Sequence, residues 1–432
     1  MAAPRILIVG GGYVGLYTAL RLQHRLRRDE AKVTLVDPES FMTYQPFLPE
    51  AAAGSLEPRH VVVPLRRVLR KVEILNGHVT RLEHARKVAV FQPLAGGSRE
   101  LGYDHVVICP GSVSRVLPIP GLADTAIGFK SVGEAIALRN RVLERLDVAA
   151  STDDAQLRRR ALTFLVIGGG YAGIECLAEL EDMSRAATKQ YDAISPKDLR
   201  WVLVEASGRI LPEVSEDLGG YTADQLRKRG IDVRLETRVE SLVGGHVELS
   251  DGERFESDTV VWTAGVKPHP VLAETDLPRD DKGRVRCLPT LQVEGLAGAW
   301  SAGDCAAVPD LTKPGAMTGP SAQHAVRQAK RLGDNLIAVL RGAAPTDYKH
   351  AYAGSVASLG LYKGVAEVYG VKLRGFPAWF MHRTYHLSRV PTFNRKLRVV
   401  VDWTLALLSR REVVSLGQVQ DPTSEWRVAT GR

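Results

Sequence analysis

The chain has 432 residues, 45% hydrophobic and 25% charged, with a formal net charge of +8. This length predicts two or three domains with a substantial core, and the ordinary composition excludes a low-complexity or collagen-like chain. The charge excess is compatible with nucleic acid or an anionic membrane surface, but it is modest and does not require either partner.

Cysteine usage and the apolar runs exclude further classes. The four cysteines form no C-x-x-C pair, which argues against zinc or a dithiol redox centre and suits a reducing cytosol. The chain enters a strand almost at once, so we expect no signal peptide. Its apolar runs are shorter than the roughly 18–20 residues that a membrane span needs.

The first predicted strand breaks into a glycine-rich turn. Residues 6–15 spell I-L-I-V-G-G-G-Y-V-G, in which Gly10, Gly12 and Gly15 form a G-x-G-x-x-G motif. The first glycine permits the tight turn, the second lets the backbone approach a pyrophosphate, and the third lets the helix pack on the strand. The N-terminus of the following helix offers free N–H groups to the phosphates. These residues are candidate cofactor ligands.

An acidic residue completes this unit. A helix is predicted to about Arg28, and strand 32–36 then ends at Asp37. Asp37 follows Gly15 by 22 residues, close to the roughly 20 expected for a carboxylate that binds a ribose hydroxyl. The alternative is a simple turn residue before Pro38.

Further strands are predicted before the chain leaves this first region, at 72–75, 79–82, 88–91 and 103–109. Val79 in the second of them and Gly111 after the last are further candidate cofactor contacts. The stretch from Pro118 to Gly121 is interpreted as a linker.

The same motif then occurs a second time. Residues 164–173 spell F-L-V-I-G-G-G-Y-A-G, with Gly168, Gly170 and Gly173 at the three glycine positions. One such motif is weak evidence, whereas two predict two dinucleotides on one chain. That arrangement is the one needed to pass a hydride from a nicotinamide to a flavin.

The second motif also has its acid. Strand 201–204 ends at Glu205, which follows Gly173 by 32 residues, and we attribute this long spacing to an insertion around 183–196. Glu205 would bind the ribose diol of NAD and repel the 2′-phosphate of NADP. Arg209 lies close by and weakens that preference.

Small-residue turns follow two later strands. The strand at 260–262 leads to Gly265, and a turn after residue 300 contains Gly303 and Asp304. Asp304 is a candidate flavin ligand, with a helix N-cap as the alternative. A helix is predicted from about residue 321 to 340.

The C-terminal region contains an amphipathic pattern. One helical face carries residues Phe393, Leu397, Val400, Val401, Thr404, Leu407 and Leu408. Cations that lie off this face or flank it are Arg395, Lys396, Arg398, Arg410 and Arg411. Such a helix lies in a membrane interface or packs on its own protein, and periodicity alone leaves both open.

Together these motifs resemble the type II NADH:quinone oxidoreductases, single-subunit flavoproteins with the two-dinucleotide fold of glutathione reductase. The segment 44–54 is similar to the family's Q-P-L-L-Y-x-x-A-x-G, and 168–175 to its G-G-G-x-T-G-V-E. Gly303-Asp304 resembles the family's G-D pair, and residues 322–325 resemble its A-Q-x-A motif. Residues 385–404 resemble the C-terminal membrane-binding region of the family. The segment 44–54 has no cysteine, which argues against the disulfide reductases.

The resemblance implies a mechanism and roles for single residues. NADH reduces FAD, which reduces a membrane quinone without proton pumping. Asp304 holds the ribityl chain, and Gln45 lies beside the flavin. Glu175 lies near the nicotinamide–flavin stack, and Ala322 and Gln323 border the flavin and the quinone. No metal and no nucleic acid are implied.

Two departures from the family pattern concern these sites. Ala172 replaces the usual threonine, and Arg327, followed by Gln328, stands where the family often has a second glutamine. The second departure leaves the finer geometry of the quinone pocket open.

The predicted fold is α/β, with two Rossmann-like domains and a C-terminal amphipathic membrane-binding region. The domains are an FAD-binding domain, an NADH-binding domain, a return to the FAD domain, and the membrane region, at 1–120, 121–289, 290–342 and 343–432. We expect a peripheral protein on the cytoplasmic face of the cell membrane. Homodimerisation through the C-terminal region is left open.

Three alternatives remain at this point. A sulfide:quinone oxidoreductase would use two reactive cysteines over the flavin, but Cys109 and Cys305 stand in neither expected context. A soluble NAD(P)H-dependent reductase would deliver electrons to a ferredoxin or rubredoxin. A redox sensor similar to the apoptosis-inducing-factor relatives would oxidise NADH only slowly.

Overall fold

The computed structural model describes residues 3–350, 354–409, 412–415 and 427. The chain divides into two compact units, each assembled from separate segments. Unit 1 comprises Met1–Thr43, Val62–Val113 and Val266–Tyr352. Unit 2 comprises Tyr44–Val61, Ser114–Gly265 and Ala353–Arg432.

The strands are short and alternate with helices through most of the chain. In chain order they are β1 (Arg5–Val9), β2 (Lys32–Asp37), β3 (Phe41–Thr43), β4 (Val62–Pro64), β5 (Glu73–Glu83), β6 (Val88–Pro93), β7 (Arg99–Gly102), β8 (His105–Ile108), β9 (Ser112–Ser114), β10 (Ala126–Gly128), β11 (Thr163–Ile167), β12 (Arg200–Val204), β13 (Asp232–Arg234), β14 (Val239–Ser241), β15 (His246–Leu249), β16 (Arg254–Glu256), β17 (Thr259–Trp262), β18 (Val266–Pro268), β19 (Val285–Arg286), β20 (Ala299–Ser301), β21 (Ala306–Ala307), β22 (Gly354–Ser358), β23 (Gly364–Val368) and β24 (Val371–Arg374).

The helices range from one turn to about five turns. They are α1 (Tyr13–Arg25), α2 (Leu48–Ala52), α3 (Leu65–Val68), α4 (Leu122–Thr125), α5 (Val132–Ser151), α6 (Ala155–Ala161), α7 (Tyr171–Ala187), α8 (Glu216–Lys228), α9 (Ala322–Leu340), α10 (Phe376–Arg389) and α11 (Phe393–Leu408). Short 3-10 helices occupy Gln45–Phe47, Pro58–His60, His84–Arg86, Thr188–Gln190, Val243–Gly245, Pro270–Glu274 and Gly303–Cys305.

Unit 1 is built on a sheet with the strand order β20-β8-β1-β2-β5-β6-β7. The five strands from β20 to β5 are parallel, and β6 and β7 continue the sheet in antiparallel pairing. Ile6 of β1 is in register with Val33 of β2 and His105 of β8. Continuous apolar runs of this kind are typical of parallel strands that are covered on both faces, and β1 is buried from its second residue onward.

Two predicted boundaries in unit 1 were wrong. The strands predicted at 72–75 and 79–82 form the single strand β5, because Gly77 takes a φ of +153° and lets the chain continue. The first helix ends at Arg25, not near Arg28, because Leu26 is extended, with a ψ of 139°.

Unit 2 contains a second parallel sheet, in the order β10-β17-β11-β12-β13. All five residues of β11 are buried, and Phe164 stacks on Trp201 of β12 with ring centroids 4.5 Å apart. The long spacing to Glu205 arises from α7, which runs to Ala187, and from the 3-10 turn and loop that follow it. Two sheets of this type confirm the predicted α/β class.

The C-terminal part of unit 2 adds an antiparallel sheet, β22-β23-β24, and the helices α10 and α11. The C-terminal helix was predicted from Phe393, where α11 begins. Its buried residues are Val399 and Trp403, whereas Arg410 and Arg411 lie outside the described residues. Among the described residues, none of the helices combines the length and apolar character that crossing a membrane requires.

Candidate nucleotide-binding and redox site

The first glycine turn has the backbone geometry that its motif predicts. Gly10 has a φ of +106°, and a Cβ there would lie 2.4 Å from the carbonyl oxygen of Cys109. A Cβ on Gly15 would lie 1.8 Å from the carbonyl oxygen of Gly10. Gly12 instead has no neighbouring atom within 4 Å of an added Cβ, so the space beside it fits a phosphate group.

Asp37 is tied to this turn. Its Oδ2 accepts a 2.5 Å hydrogen bond from the Gly11 N–H, and its Oδ1 accepts one of 2.7 Å from the Glu39 N–H. Burial raises the pKa of the carboxyl group and outweighs these two hydrogen bonds, which lower it. The acid therefore lies at the glycine turn, where the motif places a ribose.

The second glycine turn repeats this geometry in unit 2. Gly168 has a φ of +113°, and a Cβ on Gly173 would lie 2.0 Å from the Gly168 carbonyl oxygen. A Cβ on Gly170 would again meet no atom within 4 Å. Two separate segments of the chain thus form equivalent glycine turns ahead of a helix, each with open space beside its second motif glycine.

Glu205 is held as Asp37 is. Its Oε2 accepts a 2.6 Å hydrogen bond from the Gly169 N–H, and its Oε1 accepts two of 2.8 Å from the backbone and hydroxyl of Ser207. The nearby Arg209 donates from Nη2 to the carbonyl oxygens of Leu211 and Val214. Its guanidinium is therefore engaged with its own loop.

Asp304 lies in a 3-10 turn of unit 1 and accepts a 2.7 Å hydrogen bond from the Ser112 hydroxyl. The Gly303 N–H donates to Oε1 of the buried Gln328 at 2.7 Å, and the Gln328 amide donates to the Thr318 hydroxyl at 3.1 Å. Sequence reasoning missed Ser112 and this role of Gln328. The position of Ser112 directly after Gly111 was the available signal.

The residues assigned to the quinone side lie at the start of α9. Ser321 caps this helix by accepting the His324 N–H, so Ala322 and Gln323 occupy its first turn. Arg327 donates from Nη1 to the backbone and side-chain oxygens of Gln323, at 3.2 and 3.3 Å. Arg327, which stands where the family often has a second glutamine, therefore places a cation against Gln323.

Glu175 lies in the first part of α7 and is 7% exposed. Its Oε1 accepts a 2.9 Å hydrogen bond from the Ser358 N–H and lies 3.0 Å from Nε2 of His382. Sequence reasoning missed His382, since nothing in the local pattern of α10 marks it.

The remaining predicted residues occupy four separate positions. Gly111 and Gly265 both have positive φ and open space around an added Cβ. Val79 is buried in the unit 1 core, where it pairs with Phe91 across β5 and β6. Gln45 donates from Nε2 to the Lys130 carbonyl oxygen at 3.2 Å, within unit 2.

The four cysteines, Cys109, Cys176, Cys287 and Cys305, are buried and form no disulfide. Burial raises the pKa of the Cys109 thiol well above its usual value and that of Cys305 to about 11. Thiols of this kind are poor nucleophiles at neutral pH because the thiolate is the reactive form.

Comparison with known proteins agrees with this geometry. Residues 4–329 match the model of the pyridine nucleotide-disulphide oxidoreductase family. The chain is 30% identical to the type II NADH:quinone oxidoreductase Ndh of Mycobacterium tuberculosis, covering 94% of this chain and 89% of that one. It is also 30% identical to the Staphylococcus haemolyticus type II NADH:quinone oxidoreductase, over 88% and 93% of the two chains.

A solved structure shares the fold. NDH2 from Plasmodium falciparum, determined in complex with NADH, superposes with a TM-score of 0.88 at 17% identity and covers 95% of this chain and 99% of that one. The two glycine turns and the family match define a flavin- and nicotinamide-type two-dinucleotide oxidoreductase. Within that class, the chain belongs to the type II NADH:quinone oxidoreductase family, which confirms the resemblance found in the sequence.

Proposed function

We propose that this protein is an FAD-dependent NADH:quinone oxidoreductase that does not pump protons. The observation that carries the proposal is the pair of equivalent glycine turns, in which Asp37 accepts a hydrogen bond from the Gly11 N–H and Glu205 accepts one from the Gly169 N–H. Two such turns fit two dinucleotides. Membership of the quinone oxidoreductase family favours a quinone over a ferredoxin or rubredoxin as acceptor, and an enzyme over a slow sensor.

The overall reaction is NADH + H⁺ + quinone → NAD⁺ + quinol. A bound flavin would supply the redox chemistry between the nicotinamide and the quinone. The protein's part is to bind and orient. The N–H groups at the starts of α1 and α7 would bind the pyrophosphates, and Asp304, fixed by Ser112, would hold the ribityl chain of the flavin.

We assign the flavin as FAD because the first glycine turn carries an acidic residue, Asp37, that suits a ribose hydroxyl. A flavin mononucleotide has no adenosine ribose for Asp37 to bind. The further contacts proposed for this cofactor are Gln45, Val79, Gly111 and Gly303, and Gly265 is proposed for the nicotinamide dinucleotide.

NADH is preferred to NADPH at the second turn. The Glu205 carboxylate suits a ribose diol and repels a 2′-phosphate. Arg209, which lies close by in sequence, already donates to the carbonyl oxygens of Leu211 and Val214. Ala322 and Gln323 are the residues proposed to border the flavin and the quinone. Glu175 is proposed for the nicotinamide side, where its carboxylate orients the nicotinamide or relays protons.

The quinone arrives from a membrane that α11 contacts. Most of the predicted apolar stripe is exposed, with Phe393 at 79%, Leu397 at 50% and Leu408 at 80%. A groove between α10 and α11 is lined by apolar atoms of Leu387, Phe393, Leu397 and Val400. An exposed apolar face of this size on a basic helix fits the membrane interface better than water.

Other assignments remain part of this proposal. The enzyme sits on the cytoplasmic face as a peripheral protein, and homodimerisation through its C-terminal region stays open. Its domains are FAD-binding, NADH-binding, returning FAD-binding and membrane-binding, at 1–120, 121–289, 290–342 and 343–432.

The test is steady-state oxidation of NADH by the purified flavoprotein, with and without a soluble short-chain quinone. We expect strong stimulation by the quinone, NADPH as a poor donor, and FAD as the flavin released on denaturation. A flavin that NADH reduces but that quinone does not reoxidise would instead indicate a protein acceptor or a sensor.

A further inference from the structure

A lysine amine of unit 1 lies against a buried histidine. Nζ of Lys87 is 2.7 Å from Nε2 of His84 and 2.8 Å from the carbonyl oxygen of Ala297. In the described part of the chain, these two atoms are the hydrogen-bond partners of the amine. His84 is 4% exposed, whereas Lys87 is partly exposed. The amine is therefore held at the edge of the core, with one side of the lysine open to solvent.

The local backbone directs the lysine toward this histidine. Lys87 ends the 3-10 turn His84–Arg86, and its N–H donates to the His84 carbonyl oxygen at 3.0 Å. Its φ of +57° lies in the left-handed region, which residues other than glycine rarely adopt. The turn thus brings the two side chains, three positions apart, into contact.

Tyr103 orients the histidine from the other side. Nδ1 of His84 lies 3.3 Å from the Tyr103 hydroxyl, and the two rings stack with centroids 5.9 Å apart. Burial lowers the pKa of His84, so the ring is neutral at pH 7. Because the lysine N–H needs Nε2 as an acceptor, we assign the ring proton to Nδ1, which faces the Tyr103 oxygen. A nucleophile, a base and a group that orients the base are the parts of an activated nucleophile.

The two carboxylates whose charges act on Lys87 are bonded to other groups. Asp276 accepts two backbone N–H groups, at 2.7 and 3.0 Å, and Asp104 accepts the backbone and guanidinium N–H groups of Arg5. His105, a further titratable neighbour, has its pKa lowered by burial and is neutral at pH 7. Burial also lowers the pKa of Lys87 and outweighs the opposing effect of the two aspartates.

We propose that Lys87 is a site of covalent acylation that takes an activated acyl group from an acyl phosphate or an acyl thioester, with His84 as the base. The unprotonated amine donates its two N–H bonds to Nε2 of His84 and to the Ala297 oxygen, so its lone pair attacks the acyl carbonyl carbon. As the C–N bond forms, the bond from that carbon to the phosphate oxygen or the thioester sulfur breaks, and the leaving group keeps the electron pair. His84 accepts the proton that the nitrogen loses and passes it to water.

The product is an uncharged amide at Lys87, which removes one positive charge from the surface of unit 1. This site is independent of the proposed oxidoreductase activity. Its chemistry uses the amine, the imidazole and the acyl donor, and it needs neither the flavin nor the nicotinamide.

The first test is acetylation of the purified full-length flavoprotein, followed by peptide mass spectrometry. Acetyl phosphate and acetyl coenzyme A are used in separate arms, which distinguishes the two sources of the acyl group. Lys71, an exposed lysine of unit 1, is the internal reference. At about pH 7.5 roughly one in a thousand ordinary lysine amines is unprotonated, so we expect Lys87 to react at least tenfold faster than Lys71 in one arm or both. A Lys87 that reacts no faster than Lys71 in both arms would overturn the proposal.

The pH profile of acetylation separates the amine from its base. In wild type, the rate at Lys87 should level off at least one pH unit below that at Lys71, because the rate follows the fraction of unprotonated amine. In His84→Gln, we expect the rate at Lys87 to fall at least tenfold. The pH at which this rate levels off should stay within about half a unit of wild type, because the base acts after the amine has attacked. A wild-type rate at Lys87 in this variant would overturn the role of His84, and so would a profile that moves up to that of Lys71.

Tyr103→Phe tests the orientation of the base and keeps the buried ring, so it does not depend on the folding of His84→Gln. Loss of one hydrogen bond to the imidazole should slow acetylation of Lys87 by about fivefold. Tyr348→Phe is the matched control, because Tyr348 is another buried tyrosine of unit 1 whose hydroxyl lies 2.9 Å from a histidine, Nδ1 of His324. It should leave the rate at Lys87 unchanged. Equal rates in the two variants would overturn the assignment of Tyr103.

Discussion

The backbone N–H of Gly169 donates a 2.6 Å hydrogen bond to Oε2 of Glu205. This contact holds the Glu205 carboxylate at the glycine turn, and Ser207 donates two hydrogen bonds to its other oxygen. A site preorganised in this way loses less conformational entropy on binding. Gly11 and Asp37 form the same contact in unit 1, so the two glycine turns hold their carboxylates in the same way.

The first prediction concerns nucleotide choice. Glu205→Gln keeps a hydrogen-bonding group but removes the charge that repels a 2′-phosphate. A hydrogen bond to a charged group contributes about 1.5–3 kcal/mol, so we expect the ratio of kcat/KM for NADH over NADPH to fall by about tenfold or more. Steady-state kinetics with both nucleotides measures the ratio.

Glu213→Gln is the control for this change, because Glu213 is an exposed carboxylate in the loop between β12 and α8. Its ratio should match wild type. An unchanged ratio in Glu205→Gln would place the ribose contact elsewhere.

The second prediction concerns flavin retention. Asp37→Asn weakens the ribose contact of the first turn, and we expect the purified protein to retain less FAD per chain, with at least a tenfold weaker Kd. Absorbance of bound against released flavin gives the occupancy. Asp29→Asn is a matched control on an exposed residue of the same unit. Equal occupancy in Asp37→Asn and wild type would contradict the role of Asp37.

The third prediction follows from the same carboxyl group in the flavin-free protein. The pKa of Asp37 is raised on folding by burial, so the folded state favours the protonated acid. The stability it contributes is present below the unfolded pKa of about 3.9 and is lost as pH rises through the folded value. The Tm of Asp37→Asn relative to wild type should therefore increase from about pH 4 to pH 7. A difference that stays flat across this range would contradict the shift.

Local patterns predicted most of the nucleotide-binding architecture. The glycine motifs and their acids lie within one βαβ unit, so short-range spacing determines their geometry. Where the local pattern left a strand boundary ambiguous, pairing with neighbouring strands determined the structure. Gly77 appeared to separate two strands, yet β5 continues through it, because its first half pairs with β2 up to Asn76 and its second half pairs with β6 from Gly77 onward.

The contacts made across long stretches of sequence could not be predicted. Glu175 meets His382, and Asp304 meets Ser112, across separations of 207 and 192 residues. No periodicity encodes such pairs, because they depend on how distant elements pack. The sequence also did not indicate which side of α11 is buried. Apolar residues cover much of this helix, and the burial of Val399 and Trp403 likewise depends on how distant elements pack.

The fourth prediction concerns the membrane. Leu397→Asp with Val401→Asp places two charges on the exposed apolar face of α11, where the side chains are 50% and 47% exposed. Each lost apolar contact with lipid removes roughly 1–2 kcal/mol, so we expect at least tenfold weaker binding to liposomes that contain anionic lipid. Co-sedimentation measures it. Leu94→Asp, an exposed leucine of unit 1, should bind as wild type does. Full binding by the double variant would place the membrane contact elsewhere.

The last prediction concerns the buried ion pair between Arg383 and Glu50. Arg383→Met removes the cation that faces Glu50 at 3.3 Å and packs over Trp379 and Trp403. Because it leaves a buried carboxylate with only the Trp403 N–H as a donor among these partners, we expect the free energy of unfolding to fall by about 3–5 kcal/mol. Chemical denaturation measures the change. Adding Glu50→Gln removes the uncompensated charge, so the double variant should regain part of the loss. Strictly additive losses in this cycle would show that Arg383 stabilises through packing alone.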